Sequence, residues 1–204
     1  MTKIKICGLT RREDVAAVNQ WLPDYVGLVF CSSRRQVTPV QAALLKAGLD
    51  TRIKAVGVFV NEPIVTIVKL CNTGVIDLVQ LHGDENAAYL RELKSHLDCP
   101  VIKAVRVQNV AQVQQAEQMP CDWLLLDTYQ KGRYGGSGKM FDHALIPDLQ
   151  KQFFLAGGLE NSNIARVIEK CKPTGVDLSS GVETGGFKDE EKIRQIIQTV
   201  RNLR

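Results

Sequence analysis

The polar and apolar positions of the chain repeat one unit, a short apolar strand followed by an amphipathic helix. In the first strand, Lys3, Lys5 and Cys7 share one face and the isoleucines between them share the other, which is the period of a two-faced strand. The later strands are short and rich in β-branched residues, as expected when both faces are covered. The eight predicted strands are Lys3–Cys7, Tyr25–Phe30, Ile53–Val60, Leu78–Leu81, Val101–Val105, Trp123–Asp127, Phe153–Ala156 and Val176–Ser179.

Capping signals predict where the intervening helices begin and end. Thr10 is the predicted N-cap of the first helix, with Glu13 at the third helical position as in a capping box. Pro39 suits the first position of the second helix, and Gly48 ends that helix. The predicted helices are Arg11–Gln20, Pro39–Gly48, a segment capped by Asn61-Glu62-Pro63 that ends at Cys71, Asp84–Leu97, Val110–Gln118, Ser162–Lys170 and a closing helix capped by Asp189.

Strands that alternate with helices in this way predict a parallel sheet. Eight units in 204 residues match the lower size limit of the (β/α)8 barrel, so the predicted fold class is α/β, a TIM barrel. An open, doubly wound sheet is the alternative. We expect residues 1–204 to form a single domain, with the active site at the carboxyl ends of the strands.

The composition limits the kinds of ligand and the cellular compartment that we expect for this protein. The net charge is only +4, with Lys and Arg scattered among acids, so a small anionic ligand is expected and nucleic acid is not. The six cysteines form no Cys-x-x-Cys pair and only three histidines are present, which argues against a metal site and a disulfide framework. The chain enters a strand at once and has no apolar run of spanning length, so we expect a cytoplasmic protein without signal peptide or membrane segment.

The loops that follow the strands of such a barrel carry its active site. Cys7 ends the first strand, where a thiol could act in catalysis or simply fill space as a small buried residue. Asp127 ends an apolar strand and could be a general acid or an ordinary capping carboxylate. The loop from Thr128 to Phe141 is the longest connection and rich in glycine, which suits a mobile lid. The other candidates at these positions are Arg34, Arg35, Asn61, His82, Arg106, Gly157, Gly158, Ser179, Ser180 and Gly181.

Two loops after the last two strands, Gly157–Gly158 and Ser179–Gly181, contain glycine. This is the usual phosphate site of such barrels, because glycines let backbone N–H groups close on an anion; the alternative is that they only serve tight turns. Arg34 or Arg35 could bind a substrate carboxylate or remain solvated. His82 could hydrogen-bond the ligand or cap the helix that follows it.

Eight sequence motifs carry a resemblance to a known family. They are Lys5–Thr10, Gly27–Phe30, Gly57–Asn61, Val79–Gly83, Leu126–Thr128, Gly135–Gly138, Leu155–Leu159 and Asp177–Glu183. In these motifs and in their order, the chain resembles phosphoribosylanthranilate isomerase along essentially its whole length. The glycine pair alone fits many phosphosugar barrels, whereas Cys7 together with Asp127 does not.

The resemblance implies a cofactor-free Amadori rearrangement of N-(5-phosphoribosyl)anthranilate to the 1-deoxyribulose phosphate product, a step of tryptophan biosynthesis. It implies that Asp127 is the general acid that opens the ribose ring, and that Cys7 is the general base that removes the C2 proton. The family often has Ser-Pro-Arg where this chain has Ser33-Arg34-Arg35, so the choice between the two arginines stays open. The expected substrate-binding residues are Arg35, His82, Gly157, Gly158, Ser180 and Gly181.

Lys5 lies two residues before Cys7 on the same strand face, about 6.6 Å away at strand spacing. A free thiol is only a few per cent thiolate at neutral pH, so a basic cysteine gains from a lowered pKa. We hypothesise that Lys5 points into the barrel and helps to ionise Cys7.

Two other functions compete for the same barrel. Another phosphosugar enzyme, such as an indole-glycerol-phosphate synthase or a histidine-pathway isomerase, would place Lys and Glu or two acids on its strand ends, whereas the first strand here ends in Cys7. A sugar-phosphate sensor would keep the anion loops but would not need Cys7, Asp127 and a lid together. The expected partner is a small phosphosugar, and the sequence is compatible with a monomer or a homodimer.

Overall fold

A computed structural model of the chain describes residues 1–129 and 140–203. Within them, eight parallel strands form a closed barrel: β1 (Lys3–Cys7), β2 (Tyr25–Val29), β3 (Lys54–Phe59), β4 (Leu78–Leu81), β5 (Val101–Val107), β6 (Trp123–Thr128), β7 (Phe153–Leu155) and β8 (Gly175–Leu178). Each strand pairs with the next, and β1 also pairs with β8. This closure confirms the predicted TIM barrel and excludes the open sheet.

Helices follow most of the strands. They are α1 (Arg12–Trp21), α2 (Pro39–Ala47), α3 (Ile64–Asn72), α4 (Ala87–Ser95), α5 (Val110–Glu117), α6 (Ile164–Cys171) and α7 (Glu190–Asn202). A 3-10 turn and a small hairpin, β9 (Glu183–Thr184) and β10 (Phe187–Lys188), separate β8 from α7. Most of the predicted lid, residues 130–139, lies outside the described residues. Among the helices described, none has the length and apolar character needed to cross a membrane.

The barrel wall separates two hydrophobic layers. The isoleucines of β1 pack outward in a large cluster that includes the buried faces of the helices. Val56, Leu125 and Phe154 belong to a separate cluster made of strand residues inside the barrel. Because side chains alternate along a strand, Lys5 and Cys7 point to the inside, as the alternation in β1 predicts.

The predicted cap of the first helix is wrong by one residue. Arg11 is the N-cap of α1, which puts Asp14 at the third helical position in place of Glu13. Asp14 Oδ2 accepts hydrogen bonds from the backbone N–H groups of Thr10 (2.9 Å) and Arg11 (3.0 Å). The shorter Asp side chain therefore performs the reach-back contact of a capping box.

One further predicted helix start is refined and another needs correction. Within the predicted capping segment Asn61-Glu62-Pro63, Pro63 is the N-cap of α3. Asn61 does not cap α3, because its backbone is left-handed (φ 51°) and its side chain accepts the N–H of Asp84 at 2.9 Å. It therefore joins the loops after β3 and β4. α4 begins at Ala87 and not at Asp84, because the Asn86 side chain is its N-cap. The predicted cap of the closing helix, Asp189, is confirmed.

Candidate active site

A pocket opens at the carboxyl ends of the barrel strands. It brings together every predicted catalytic and substrate-binding residue: Cys7, Arg35, His82, Asp127, Gly157, Gly158, Ser180 and Gly181. Gln80, Asp177 and Ser179 line the same pocket. Residues distant in sequence meet here because the strands are parallel and their carboxyl ends share one face of the barrel.

Cys7 is the last residue of β1, and its buried side chain lines the pocket. Its register partner on β2 is Gly27, where a Cβ would lie 2.5 Å from Cys7 Sγ. Glycine at this position therefore provides the space that the thiol occupies. Ser179 Oγ donates a hydrogen bond to the Cys7 carbonyl at 3.1 Å, which ties the end of β1 to the loop after β8.

Lys5 and Asp177 form an ion pair inside the barrel, near Cys7. They are partners in the β1–β8 register, and Lys5 Nζ lies 2.9 Å from Asp177 Oδ2. Burial raises the pKa of Cys7, Lys5 lowers it, and Asp177 raises it again. The pKa of Cys7 ends above its ordinary value. Lys5 thus acts in the direction that we predicted, but burial outweighs its effect.

Asp127 lies near the carboxyl end of β6 and is buried. Its Oδ1 accepts the N–H of Thr128 at 2.7 Å, and its Oδ2 lies 3.3 Å from Nε2 of His82. His82 therefore contacts the carboxylate and does not cap the following helix. Gly157 has φ 87°, and a Cβ there would lie 2.2 Å from Thr128 Oγ1 and 3.1 Å from Asp127 Oδ1. Both the backbone and the available space require glycine at this position.

Glu183 fixes both candidate arginines. Arg35 binds its carboxylate through Nε (2.7 Å) and Nη2 (2.9 Å), and Arg34 binds it through Nη2 (2.6 Å). The Arg35 side chain is 12% exposed and lines the pocket, whereas that of Arg34 is 58% exposed and lies outside the pocket lining. Of the two arginines, Arg35 is therefore the one that can reach a ligand in the pocket.

Lys188 is the third cation on this carboxylate. Its Nζ donates to Glu183 Oε1 at 2.7 Å and to the Ser179 carbonyl at 3.1 Å. Burial raises the pKa of Glu183, but hydrogen bonds from Arg35 and Lys188 lower it below its ordinary value. Burial lowers the pKa of Lys188. One carboxylate thus faces three cations beside the pocket, which favours an anionic ligand.

The loops after β7 and β8 are held close together. Gly157 and Gly158 have φ values of 87° and 65°, and Asn163 Nδ2 donates to the Gly158 carbonyl at 2.9 Å. A Cβ on Gly181 would lie 1.9 Å from the Leu159 carbonyl oxygen, so only glycine permits this approach. The predicted phosphate residues therefore form one half-buried, glycine-rich wall of the pocket, which suits an anion.

Two predicted candidates lie away from the pocket: Arg106 pairs with Asp84 at 2.7 Å, and Asn61 joins two loops without lining the pocket. Two polar residues that line the pocket, Gln80 and Asp177, were not predicted as site residues, although their position inside apolar strands was a usable signal. Glu183 and Lys188, which lie beside the pocket after β8, were also not predicted to act there.

The closed barrel, with a thiol and a carboxylate in the pocket at its carboxyl end, has the architecture of a (β/α)8-barrel enzyme. Residues 4–199 match the family described as N-(5'phosphoribosyl)anthranilate (PRA) isomerase. An N-(5'-phosphoribosyl)anthranilate isomerase from Endomicrobium trichonymphae is 48% identical over 203 residues, covering 100% of both chains. The phosphoribosyl anthranilate isomerase of Thermus thermophilus superposes with a TM-score of 0.87 at 30% identity, again over 100% of both chains. A phosphoribosyl anthranilate isomerase solved with reduced 1-(o-carboxyphenylamino)-1-deoxyribulose 5-phosphate gives a TM-score of 0.82 at 31% identity, with the same coverage.

The chain therefore belongs to the N-(5'-phosphoribosyl)anthranilate isomerase family. This confirms the resemblance that the eight motifs carry, and it identifies an isomerase of tryptophan biosynthesis. The match runs through the whole barrel, so the competing interpretations as a sensor or as another phosphosugar enzyme are set aside.

Proposed function

We propose that this chain converts N-(5'-phosphoribosyl)anthranilate to 1-(2-carboxyphenylamino)-1-deoxyribulose 5-phosphate, with Asp127 as general acid and Cys7 as general base. The observation that carries the proposal is that the thiol and the carboxylate line one pocket, although they come from β1 and β6. A ribose ring placed between them would have an acid on one side and a base on the other.

The reaction begins with proton transfer from Asp127 to the ribose ring oxygen. The bond from C1 to that oxygen breaks, and the anthranilate nitrogen supplies the electron pair that forms a protonated Schiff base. The Cys7 thiolate then takes the C2 proton, which gives an enolamine, and tautomerisation of the enolamine yields the ketone. At that point Asp127 has lost one proton and Cys7 has gained one, and proton exchange with water restores both groups; no electrons leave the substrate.

The raised pKa of Cys7 is compatible with this role. Without a bound substrate, burial disfavours the Cys7 thiolate, and the positive charge of Lys5 offsets only part of this effect. A protonated Schiff base places a positive charge beside the thiol, and an opposite charge within a few ångströms favours ionisation. The thiolate is therefore most populated after Asp127 has opened the ring, when it is needed.

The anionic ends of the substrate fit two walls of the pocket. The phosphate would bind at Gly157, Gly158, Ser180 and Gly181, which line the pocket and are half-buried. The anthranilate carboxylate would face Arg35, which Glu183 holds in place through two hydrogen bonds.

We also propose that the chain works as a single domain and that it works in the cytoplasm. The cytoplasmic location is supported by its six free thiols. A monomer or a homodimer remains the prediction for its oligomeric state.

The test is a fluorescence assay that follows loss of the anthranilate substrate with purified protein. Cys7→Ser and Asp127→Asn should each lose at least about two decades in kcat, because acid and base groups typically contribute ~10²–10⁴. Product-analogue affinity should be largely kept, because the phosphate wall is intact. The matched controls are Cys171→Ser and Asp148→Asn, which lie outside the pocket and should keep normal turnover. Near-normal turnover in either pocket variant would refute the assignment.

A further inference from the structure

Gln80 is a polar residue in the middle of an apolar strand. Its neighbours in β4 are Leu78, Val79 and Leu81, and Gln80 itself is only 1% exposed. Burying an amide costs free energy unless it finds hydrogen-bond partners. The partner here is the ring of His82, because Gln80 Nε2 lies 2.9 Å from His82 Nδ1. This contact lies at the pocket wall, since both residues line the pocket.

The contact determines which nitrogen of His82 carries the proton. The amide of Gln80 is oriented with its nitrogen toward the ring, and an amide nitrogen donates hydrogen bonds and does not accept them, so His82 Nδ1 accepts in this orientation. The proton of the neutral ring is then on Nε2, the atom that lies 3.3 Å from Asp127 Oδ2. This second contact is not aligned as a full hydrogen bond in the structure. Such contacts in active sites often tighten when substrate binds.

We infer that Gln80 is a positioning residue that holds His82 in the Nε2–H tautomer and thereby directs a hydrogen-bond donor at Asp127. The inference rests on the proposed role of Asp127 as the acid. A donor at this position stabilises the carboxylate that remains after Asp127 has given up its proton. In the opposite tautomer, Nε2 would accept a hydrogen bond from protonated Asp127 and would hold back the proton that the ribose oxygen needs.

The tautomer can be measured without any activity assay. The chain has three histidines, so ¹⁵N-histidine NMR of the full-length protein gives few signals, and His82→Asn assigns the one of interest. The wild type should show His82 protonated at Nε2 at neutral pH. Gln80→Glu offers a carboxylate to Nδ1 and should move the proton there. Protonation of the wild-type ring at Nδ1 would overturn the inference.

Kinetics test the consequence of this tautomer for the reaction. Gln80→Glu should lower kcat about 100-fold, within the range for an impaired general acid, while KM stays within about threefold of wild type. Gln80→Met removes the donor without adding an acceptor and should lose less than Gln80→Glu. The matched control is Gln114→Glu on α5, an exposed residue that should change neither kcat nor the His82 signal.

A double variant separates the two proposals. If Asp127 is the acid and Gln80 acts through it, Gln80→Glu should cause almost no further loss when added to Asp127→Asn. Suppose that Asp127→Asn is inactive, but that Gln80→Glu keeps the wild-type turnover and the wild-type tautomer of His82. This outcome would refute the positioning role of Gln80 and leave the proposed function standing. Full turnover in Asp127→Asn would refute the proposed function, while the NMR result on the tautomer would still stand by itself.

Discussion

Replacing Lys5 with methionine tests the electrostatics around the thiol. The substitution keeps a long side chain but removes a buried cation 2.9 Å from Asp177 and on the same strand face as Cys7. If the charges are taken to be as far apart as the backbones of alternate strand residues, about 6.6 Å, two unit charges interact by about 2.5 kcal/mol at an effective dielectric constant of about 20. Without Lys5, the remaining Asp177 charge also disfavours the thiolate.

The same substitution should lower stability. Breaking a buried ion pair typically costs about 3–5 kcal/mol, because one charge is left buried without a partner. A protein of ordinary stability, about 5–15 kcal/mol, would survive this loss but unfold at lower urea concentration. Lys5→Met/Asp177→Asn removes both charges, so it should recover a large part of the lost stability.

The assay is the pH profile of kcat/KM, whose rising limb reports the ionisation of the free enzyme's base. Because Lys5 favours the thiolate, its removal raises the pKa of Cys7 and should move the rising limb to higher pH. The double variant should move it much less, since Lys5 and Asp177 have opposite effects on the thiol. A rising limb that stays in place in Lys5→Met would refute this account of how the thiol is ionised.

Three further predictions concern the walls of the pocket. Gly27→Ala places a Cβ 2.5 Å from Cys7 Sγ and should displace the thiol. We expect kcat to fall at least about tenfold and the free energy of unfolding to fall by about 1–3 kcal/mol. Unchanged kinetics would contradict the argument that Gly27 makes room for the thiol. Glu183→Gln weakens the hold on Arg35 and Lys188, so KM should rise more than kcat falls in steady-state kinetics. Because the pKa of Glu183 is below 4.5, its contribution to stability is present above that pH and is lost as pH falls through the folded value. Urea midpoints from pH 6 to pH 3 should therefore fall less steeply for Glu183→Gln than for the wild type.

The sequence by itself determined the barrel and the principal pocket residues. Alternation in β1 put Lys5 and Cys7 on one face, and the apolar β-branched runs required strands covered on both sides. Those patterns act over a few residues, through the pleat of the strand and through capping contacts, so they can be recognised locally. Even there, a shift of one residue moved the cap of α1 to Arg11, because several polar residues in that segment could have served.

Only the tertiary structure decided the electrostatics of the site. The pairing of Lys5 with Asp177 exists because β1 and β8 close the barrel, and no local pattern relates these two residues. The same holds for Arg35, which Glu183 holds at the pocket from the far end of the chain. Desolvation also depends on everything that surrounds a group. The pKa of Cys7 is therefore raised overall, although the lysine that the sequence places beside it lowers it.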